Sequence, residues 1–268
     1  MEHEKKELLK MCEGITVLSL FDGMSCGQIA LERAGIKVKQ YFASEIDKYA
    51  IQVAMANFPD IIQLGDVRNI KSCDLPKIDL LIGGLPCQDL SKSQNGNGLN
   101  GQQSILFYEY LRIYQELKPT YFLLENVDTN KTNPINEYFG NPYRICSDLF
   151  VPQNRTRRYW TNIKINKLPI RPNWNYEYGQ QVRRDVKGVR PMKNGTASTL
   201  LKAMGAGGGN MPMIKENNEW RKLTINELEQ LQGLPIDYTK VVSNSQRKIM
   251  LGNGWTVDII SHILNFIV

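Results

Sequence analysis

The sequence predicts an α/β fold: a mostly parallel sheet with helices on both faces, joined to a small lobe of different character. Three observations predict it. Short apolar runs alternate with helix-period segments from Ile15 to Ile163. Those runs are apolar throughout rather than alternating, which fits strands covered on both faces. From about Lys164 to Arg221 the periodicity stops, and Pro, Asn, Gly, Arg and Trp dominate.

Taken in order, Ile15–Leu20 is an apolar run that ends at a Gly-containing turn, so it reads as the first buried strand. A helix follows over Gln28–Ala34, then a second strand over Val38–Ala43. Asp47 is placed to cap a helix that carries Tyr49, Ala50, Val53 and Ala54 on one face. Ile61–Leu64 is a weaker third strand and Ile78–Ile82 a fourth. Ser104–Leu117 repeats Leu106, Phe107, Tyr110, Leu111, Tyr114 and Leu117 at helical spacing, and Pro119 stops it. Tyr121–Leu124 is the fifth strand, with further strands at Tyr143–Cys146 and Tyr159–Ile163. Thr224 and Glu227 form a capping-box pattern at the head of a helix to Leu231, and Val257–Phe266 closes the chain as a helix.

Composition narrows the function classes. The 268 residues hold 33 Lys and Arg against 27 Asp and Glu, a net charge of +6. A chain of this size buries roughly 70–75% of its unfolded surface and needs no covalent staples. Apolar runs all fall well short of the ~18 residues of a membrane span. The charged opening MEHEKKELLKMCEG has no secretory h-region, so a cytoplasmic location is expected. Five cysteines (Cys12, Cys26, Cys73, Cys87, Cys146) show no C-x-x-C spacing and read as reduced thiols. The two histidines, His3 and His262, are far apart, so no metal is expected.

Charge is concentrated. Between Val151 and Arg190 lie ten basic residues (Arg155, Arg157, Arg158, Lys164, Lys167, Arg171, Arg183, Arg184, Lys187, Arg190), opposed by Glu177 and Asp185. Tyr159, Trp160, Trp174, Tyr176 and Tyr178 interleave them. This is either a solvated basic face or a surface that displaces counterions from phosphates.

The chemistry-bearing residues gather just after strands, where ligands bind in parallel sheets. The turn Phe21-Asp22-Gly23-Met24 opens a helix but is not G-x-G-x-x-G, which disfavours a pyrophosphate cofactor. Glu45 ends the second strand, 22 residues beyond Gly23, where an acid suits ribose hydroxyls. Asp66 follows the third strand and can accept from an adenine amino group. Together these point to a nucleoside cofactor without phosphates. Cys87, in Gly83-Gly84-Leu85-Pro86-Cys87-Gln88, is a candidate nucleophile, or else a small residue that a turn requires. Glu125, ending the fifth strand, would share its sheet edge, and a carboxyl beside a thiol suits covalent catalysis with a proton donor.

These motifs, with Gln153-Asn154-Arg155-Thr156-Arg157, Arg221–Pro235 and Gly252-Asn253-Gly254, resemble in content and order those of the C5-cytosine DNA methyltransferases. The wording is nearest to small phage or bacterial members. The resemblance implies a Rossmann-like, S-adenosyl-L-methionine-dependent methyltransferase sheet with a small target-recognition lobe. It implies a catalytic domain over 1–163, the lobe over 164–221 and a returning segment over 222–268. Cofactor-side positions would be Phe21, Asp22, Gly23, Met24, Glu45, Ile46, Asp66, Val67, Pro86, Leu106, Asn253 and Trp255. Cys87 would attack cytosine C6, Glu125 would hold N3 and the exocyclic amine, Arg157 would contact the base carbonyl, and Arg155 would orient the site. Gln88–Gln103 would close over a flipped base. Thr199–Gly209 would reach the major groove of double-stranded DNA, with the ten basic residues on phosphates. The span between Val127 and Gln153 is short for the family, so its helix is expected to be trimmed. Alternatives are a tRNA cytosine methyltransferase on the same fold and a non-catalytic, cofactor-sensing DNA-binding regulator. Nothing in the chain suggests an obligate dimer, and a monomer is expected.

Overall fold

The computed structural model describes residues 13–86, 105–182, 188–204 and 209–267. The chain separates into two compact units, Met1–Ile145 with Thr156–Asn166 and Ser261–Val268, and Cys146–Arg155 with Lys167–Ile260. Compactness is a different criterion from the functional division expected above, and it groups 222–260 with 167–221.

The first unit is built on a seven-stranded sheet. Its strands are β1 (Ile15–Leu20), β2 (Val38–Ser44), β3 (Ile62–Gln63), β4 (Leu80–Gly84), β5 (Tyr121–Val127), β6 (Tyr143–Cys146) and β7 (Thr156–Thr161), in the order β3-β2-β1-β4-β5-β7-β6. The first five of that order run parallel, and β7 lies antiparallel to β5. The order reverses at β1, whose neighbours are β2 and β4, and such a switch point leaves a crevice outside the strand ends. Helices α1 (Cys26–Arg33), α2 (Lys48–Asn57) and α3 (Ile105–Leu117) connect the parallel strands. The Asp47 carboxylate accepts from the Tyr49 amide and caps α2 as its position predicts.

The core explains the apolar runs. Leu18, Leu20, Leu81 and Leu124 of the sheet meet Phe107, Tyr110 and Ile113 of α3, all buried. Tyr114 meets Phe122 and Phe139 edge to face, and those two rings are tilted against each other, with centroids 5.0–5.2 Å apart in all three pairs. Gly83 lets α3 approach: a Cβ there would stand 2.9 Å from the Tyr110 ring.

Several boundaries differ from the sequence reading, each for a physical reason. Strand β4 begins at Leu80 and runs on through Gly83 and Gly84, because these pair with Leu20 and Glu125. Strand β7 starts at Thr156 rather than Tyr159, since Arg157 and Arg158 lie opposite Val127 and Asn126 on β5. The expected trimming between Val127 and Gln153 takes the form of a 3-10 turn over Asn130–Ile135 and a four-residue helix, α4 (Asn136–Phe139).

The second unit holds a four-stranded antiparallel sheet of β8 (Tyr178–Gln181), β9 (Val189–Pro191), β10 (Pro212–Glu216) and β11 (Glu219–Lys222), in the order β11-β10-β8-β9. It lies where the sequence shows no periodicity, because its strands are three to five residues long and their burial does not alternate along the chain. Helix α5 (Ile225–Leu231) carries the predicted capping box of Thr224 and Glu227. Helix α6 (Asn244–Asn253) is absent from the sequence reading. Its polar sequence hides a buried anchor, Arg247, which donates to Glu229 at 2.9 Å and to Thr239 at 2.7 Å. The closing helix α7 is Val257–Leu264.

Candidate active site

The register of the parallel strands brings their carboxyl ends to one edge. Leu20 lies opposite Ser44 on one side and Gly83 on the other, Ala43 opposite Gln63, and Gly84 opposite Glu125. The residues after the first four of these strands, Phe21–Ser25, Glu45–Asp47, Gly65–Val67 and Leu85–Pro86, and the last residues of β5, Glu125–Val127, therefore lie along that edge.

The turn after β1 has an unusual backbone. Phe21, Gly23 and Ser25 all adopt left-handed conformations, with φ of 56°, 62° and 61°. For Phe and Ser this costs roughly 1–3 kcal/mol each, and it persists only where the surroundings dictate it. Here the Asp22 amide donates to the Ser44 carbonyl at 3.1 Å. The Asp22 carboxylate accepts from Ser25 Oγ at 2.5 Å and from the Tyr41 hydroxyl at 2.7 Å. Burial pushes this carboxyl from the ordinary 3.8 up to about 6, against the pull of the Ser19, Ser25 and Tyr41 hydroxyls, with the nearby charge of Glu45 adding to the rise. Burial also raises the Tyr41 phenol well above its usual value, with the Asp22 charge as the next cause. Met24 is buried at 2% exposure, and Phe21 is half-buried against the core.

Glu45 is oriented by backbone. Its Oε2 accepts from the Gly23 amide at 2.8 Å, and its Oε1 accepts from the Ile46 and Asp47 amides at 2.7 and 2.8 Å. A carboxylate fixed by three amides keeps lone pairs for further donors, such as vicinal hydroxyls. Ile46 beside it is 73% exposed, an apolar side chain presented to solvent at the sheet edge. Asp66 caps a 3-10 turn, Val67–Asn69, and its carboxylate is gripped by the Arg68 guanidinium, which holds its pKa below the ordinary range. Val67 is buried beneath. A Cβ built at Gly23 or at Gly65 meets no described atom within 4 Å, so open space lies over both turns. Open glycine turns, an oriented acid and an exposed apolar side chain form a cradle that fits a nucleoside with an apolar base face. Leu106, which the family resemblance leads one to expect on the cofactor side, is partly buried against the core.

At the end of β5, Glu125 is 8% exposed, and the Arg157 guanidinium of β7 stands 3.1 Å from its Oε1. Arg157 also donates to the Thr156 carbonyl at 2.9 Å. The Leu85 amide donates to the Glu125 carbonyl at 3.3 Å, joining the segment that leads to Pro86 to the same strand end. Pro86 is half-buried. Cys87 and Gln88–Gln103 lie outside the described residues.

Arg155, Asn253 and Trp255 belong to the second unit. Arg155 is 4% exposed and spends its guanidinium on backbone: Nη1 donates to the Leu200 carbonyl at 2.9 Å, and Nη2 to the Gly254 carbonyl at 3.0 Å. Asn253 is exposed and Trp255 half-buried on the turn this clamp holds. Gly252 is required there, because a Cβ would come within 2.3 Å of the Leu201–Lys202 backbone. The sequence reading missed the supporting amides: Gln153 Nε2 donates to the Leu231 carbonyl at 2.6 Å, and Gln232 Nε2 to the Leu251 carbonyl at 2.5 Å. Gln153 stands in a quoted motif, but nothing in sequence tells a buried glutamine from an exposed one. Tyr41 and Ser25 were missed for the same reason.

The basic cluster is partly consumed within the fold. Arg158 pairs with Asp128 at 3.0 Å and Arg171 with Asp148 at 2.9 Å, while Arg155 and Arg157 are engaged as described. The expectation that all ten basic residues meet phosphates therefore narrows. Lys164, Lys167 and Arg190 are exposed; Arg183, Arg184 and Lys187 lie outside the described residues.

The model of the C-5 cytosine-specific DNA methylase family matches residues 15–172 and 130–268. The chain belongs to this family. An orphan methyltransferase of Bacillus phage rho11s is 35% identical over 197 residues, covering 67% of this chain and 38% of the relative. One from Bacillus phage SPR is 36% identical, covering 61% and 41%. This family member thus spans about two fifths of the length of those phage relatives. The type II methyltransferase M.Bsp6I of Bacillus sp. strain RFL6 is 26% identical over 84% of the chain and 89% of its own length. Among solved structures, DNMT2 of Spodoptera frugiperda superposes with a TM-score of 0.70 at 17% identity, covering 94% of this chain and 99% of that one. A putative DNA modification methyltransferase encoded in an E. coli prophage gives 0.65 at 21% identity, covering 94% and 98%. These likenesses establish the α/β methyltransferase fold predicted from the sequence. Among the described residues no group of His, Cys, Asp or Glu could hold a metal, and no helix is long and apolar enough to cross a membrane.

Proposed function

We propose that this chain is a DNA (cytosine-5-)-methyltransferase acting on a flipped-out cytosine in a specific double-stranded DNA sequence. The observation that carries the reading is the buried Glu125–Arg157 pair at the end of β5, beside the strand end that leads into Pro86-Cys87.

The chemistry explains the need for these groups. C5 of cytosine is a poor nucleophile. Addition of the Cys87 thiolate to C6 forms a C–S bond and moves electron density to C5, which then takes the methyl group. Loss of the C5 proton and expulsion of the thiolate restore the aromatic base and the enzyme. Glu125 favours the addition by holding N3 and the exocyclic amine, and Arg157 keeps that carboxylate aimed while contacting the base carbonyl. A stacked base hides C6, so the cytosine must leave the duplex.

S-adenosyl-L-methionine, when bound, supplies the methyl group. The residues fit it: Glu45 would accept from the ribose hydroxyls, Ile46 would cover the adenine face, Asp66 would accept from the adenine amine, and Gly23 leaves room. Phe21, Asp22, Met24, Val67, Pro86, Leu106, Asn253 and Trp255 complete the proposed cofactor side. Arg155 acts as a positioning residue, through the Gly252–Gly254 turn. Target reading is assigned to the small lobe of 164–221, with its exposed basic residues on phosphates.

Incubation with labelled S-adenosylmethionine and unmethylated genomic DNA, followed by digestion to nucleosides, should place label in 5-methylcytosine. The Cys87→Ala variant should fold normally and transfer nothing; full activity in it would end the covalent mechanism. Donor binding without transfer to DNA would redirect the reading to RNA as acceptor, and then to a non-catalytic regulator.

A further inference from the structure

We propose that Tyr41, through Asp22, is a positioning residue for the donor site: its hydroxyl holds the Phe21–Ser25 turn in the shape that presents Gly23 to S-adenosylmethionine. The inference rests on the proposed function above.

Tyr41 sits within β2, opposite Val17 of β1, at 4% exposure and away from the strand end that carries Glu45. From its place in an apolar run it reads as a core aromatic, where Phe would fill the space equally well. A buried tyrosine hydroxyl needs a partner, however. It finds Asp22 Oδ1 at 2.7 Å.

Asp22 is the hub of the turn. It stands between two left-handed residues, Phe21 and Gly23, and Ser25 is a third. Five contacts tie the turn in place. The Asp22 amide bonds Ser44, the Gly23 amide bonds Glu45, and the Ser19, Ser25 and Tyr41 hydroxyls bond the Asp22 carboxylate. Ser25 belongs to the turn itself and Ser19 lies three residues before Asp22 on β1, so Tyr41's is the hydroxyl that connects the carboxylate to the neighbouring strand β2. Loss of that bond frees Asp22 to rotate and lets Phe21 relax from φ 56° toward commoner backbone. The Gly23 amide would then no longer point at Glu45, and the acid that meets the ribose loses one of its three anchors.

Gly27 supports the arrangement. A Cβ there would stand 2.8 Å from the Tyr41 hydroxyl oxygen, so α1 carries no side chain where the hydroxyl passes. On the opposite side, a Cβ at Gly23 meets no described atom within 4 Å, which is the open face a ligand would approach.

The test compares wild type, Tyr41→Phe and Ser25→Ala for S-adenosylmethionine affinity by calorimetry, with circular dichroism melts to establish folding. Tyr41→Phe should weaken binding about tenfold, the usual effect of losing one hydrogen bond to a charged group. In turnover it should raise KM for the donor while kcat at saturating donor stays within about twofold. In a cycle with Asp22→Asn the two losses should be less than additive, because both remove one contact. Equal affinity and equal KM in a folded Tyr41→Phe protein would overturn the proposal, and a lower melting temperature alone would assign Tyr41 to the core. If Tyr41→Phe does not fold, Ser25→Ala, which removes another hydroxyl from the same carboxylate, should lose affinity several-fold; unchanged binding there overturns the proposal as well. A wild-type protein that binds no S-adenosylmethionine would instead bring down the parent reading.

Discussion

Asp22 and Asp66 follow strands of the same parallel sheet, one place apart on either side of Glu45, yet the fold treats their carboxylates in opposite ways. Asp22 is enclosed and partnered by neutral hydroxyls, and burial drives its pKa up to about 6. Asp66 is near solvent and partnered by a guanidinium, which drives its pKa down. Neutral donors inside the protein do not repay the loss of hydration, whereas a cation at the surface stabilises the charge with little hydration lost. The first carboxylate therefore serves to hold backbone, and the second remains available to a ligand that can compete with Arg68.

The largest way to break this contrast is to crowd the enclosed site. Gly27→Ala would put a Cβ 2.5 Å from Ile82 Cδ1 and 2.8 Å from the Tyr41 hydroxyl. Overpacking of this kind costs roughly 1–3 kcal/mol, or about 2–4 °C of Tm for each kcal/mol in a chain of this order of size. An unchanged melting temperature would show that the turn yields freely.

A smaller effect comes from pH. Because the Asp22 pKa is raised from 3.8 to about 6 in the folded protein, the stability it contributes is fully present below about pH 3.8 and is lost as pH rises through about 6. Asp22→Asn does not titrate. Wild type should thus lose a few degrees of Tm relative to this variant between pH 5 and pH 7. Parallel melting curves at both pH values would contradict the enclosed carboxyl.

The smallest effect belongs to Asp66. Its lowered pKa means that its contribution is present above the unfolded value and is lost as pH falls through the folded one. Arg68→Ala should move the Asp66 titration, read by carboxyl NMR, back up toward its ordinary value. The melting temperature should hardly move, because an exposed pair is screened by water and salt.

Much of the first unit, and the head of one helix in the second, was legible in the sequence because the signals are local. The Ile15–Leu20 run, the Asp47 cap, the aromatic face of α3 and the Thr224–Glu227 box each depend on residues close in the chain, and the structure places them as read. Ladders of strand ends were legible too, since a parallel sheet must bring Phe21, Glu45, Asp66 and Glu125 to one edge. Polar sequence that owes its order to distant partners was not. Thr156–Arg158 falls before the strand expected at Tyr159–Ile163, and joins it because Glu125 and Asp128 take up its arginines. Asn244–Asn253 received no element from the sequence, and its helix owes its place to Arg247 buried on Glu229. The antiparallel sheet over Tyr178–Lys222 has strands too short to show a period.

The sequence by itself determined the α/β class, the order of the motifs and the family, because strand and helix periods and motif content are written in neighbouring residues. Tertiary structure decided how each polar group is used. Arg155 clamps backbone carbonyls while Arg157, two residues on, faces a carboxylate; Asp22 holds a strained turn while Asp66 stays near water. The physical reason is that desolvation and hydrogen-bond geometry depend on what other elements bring within about 3 Å, and chain order does not specify those partners.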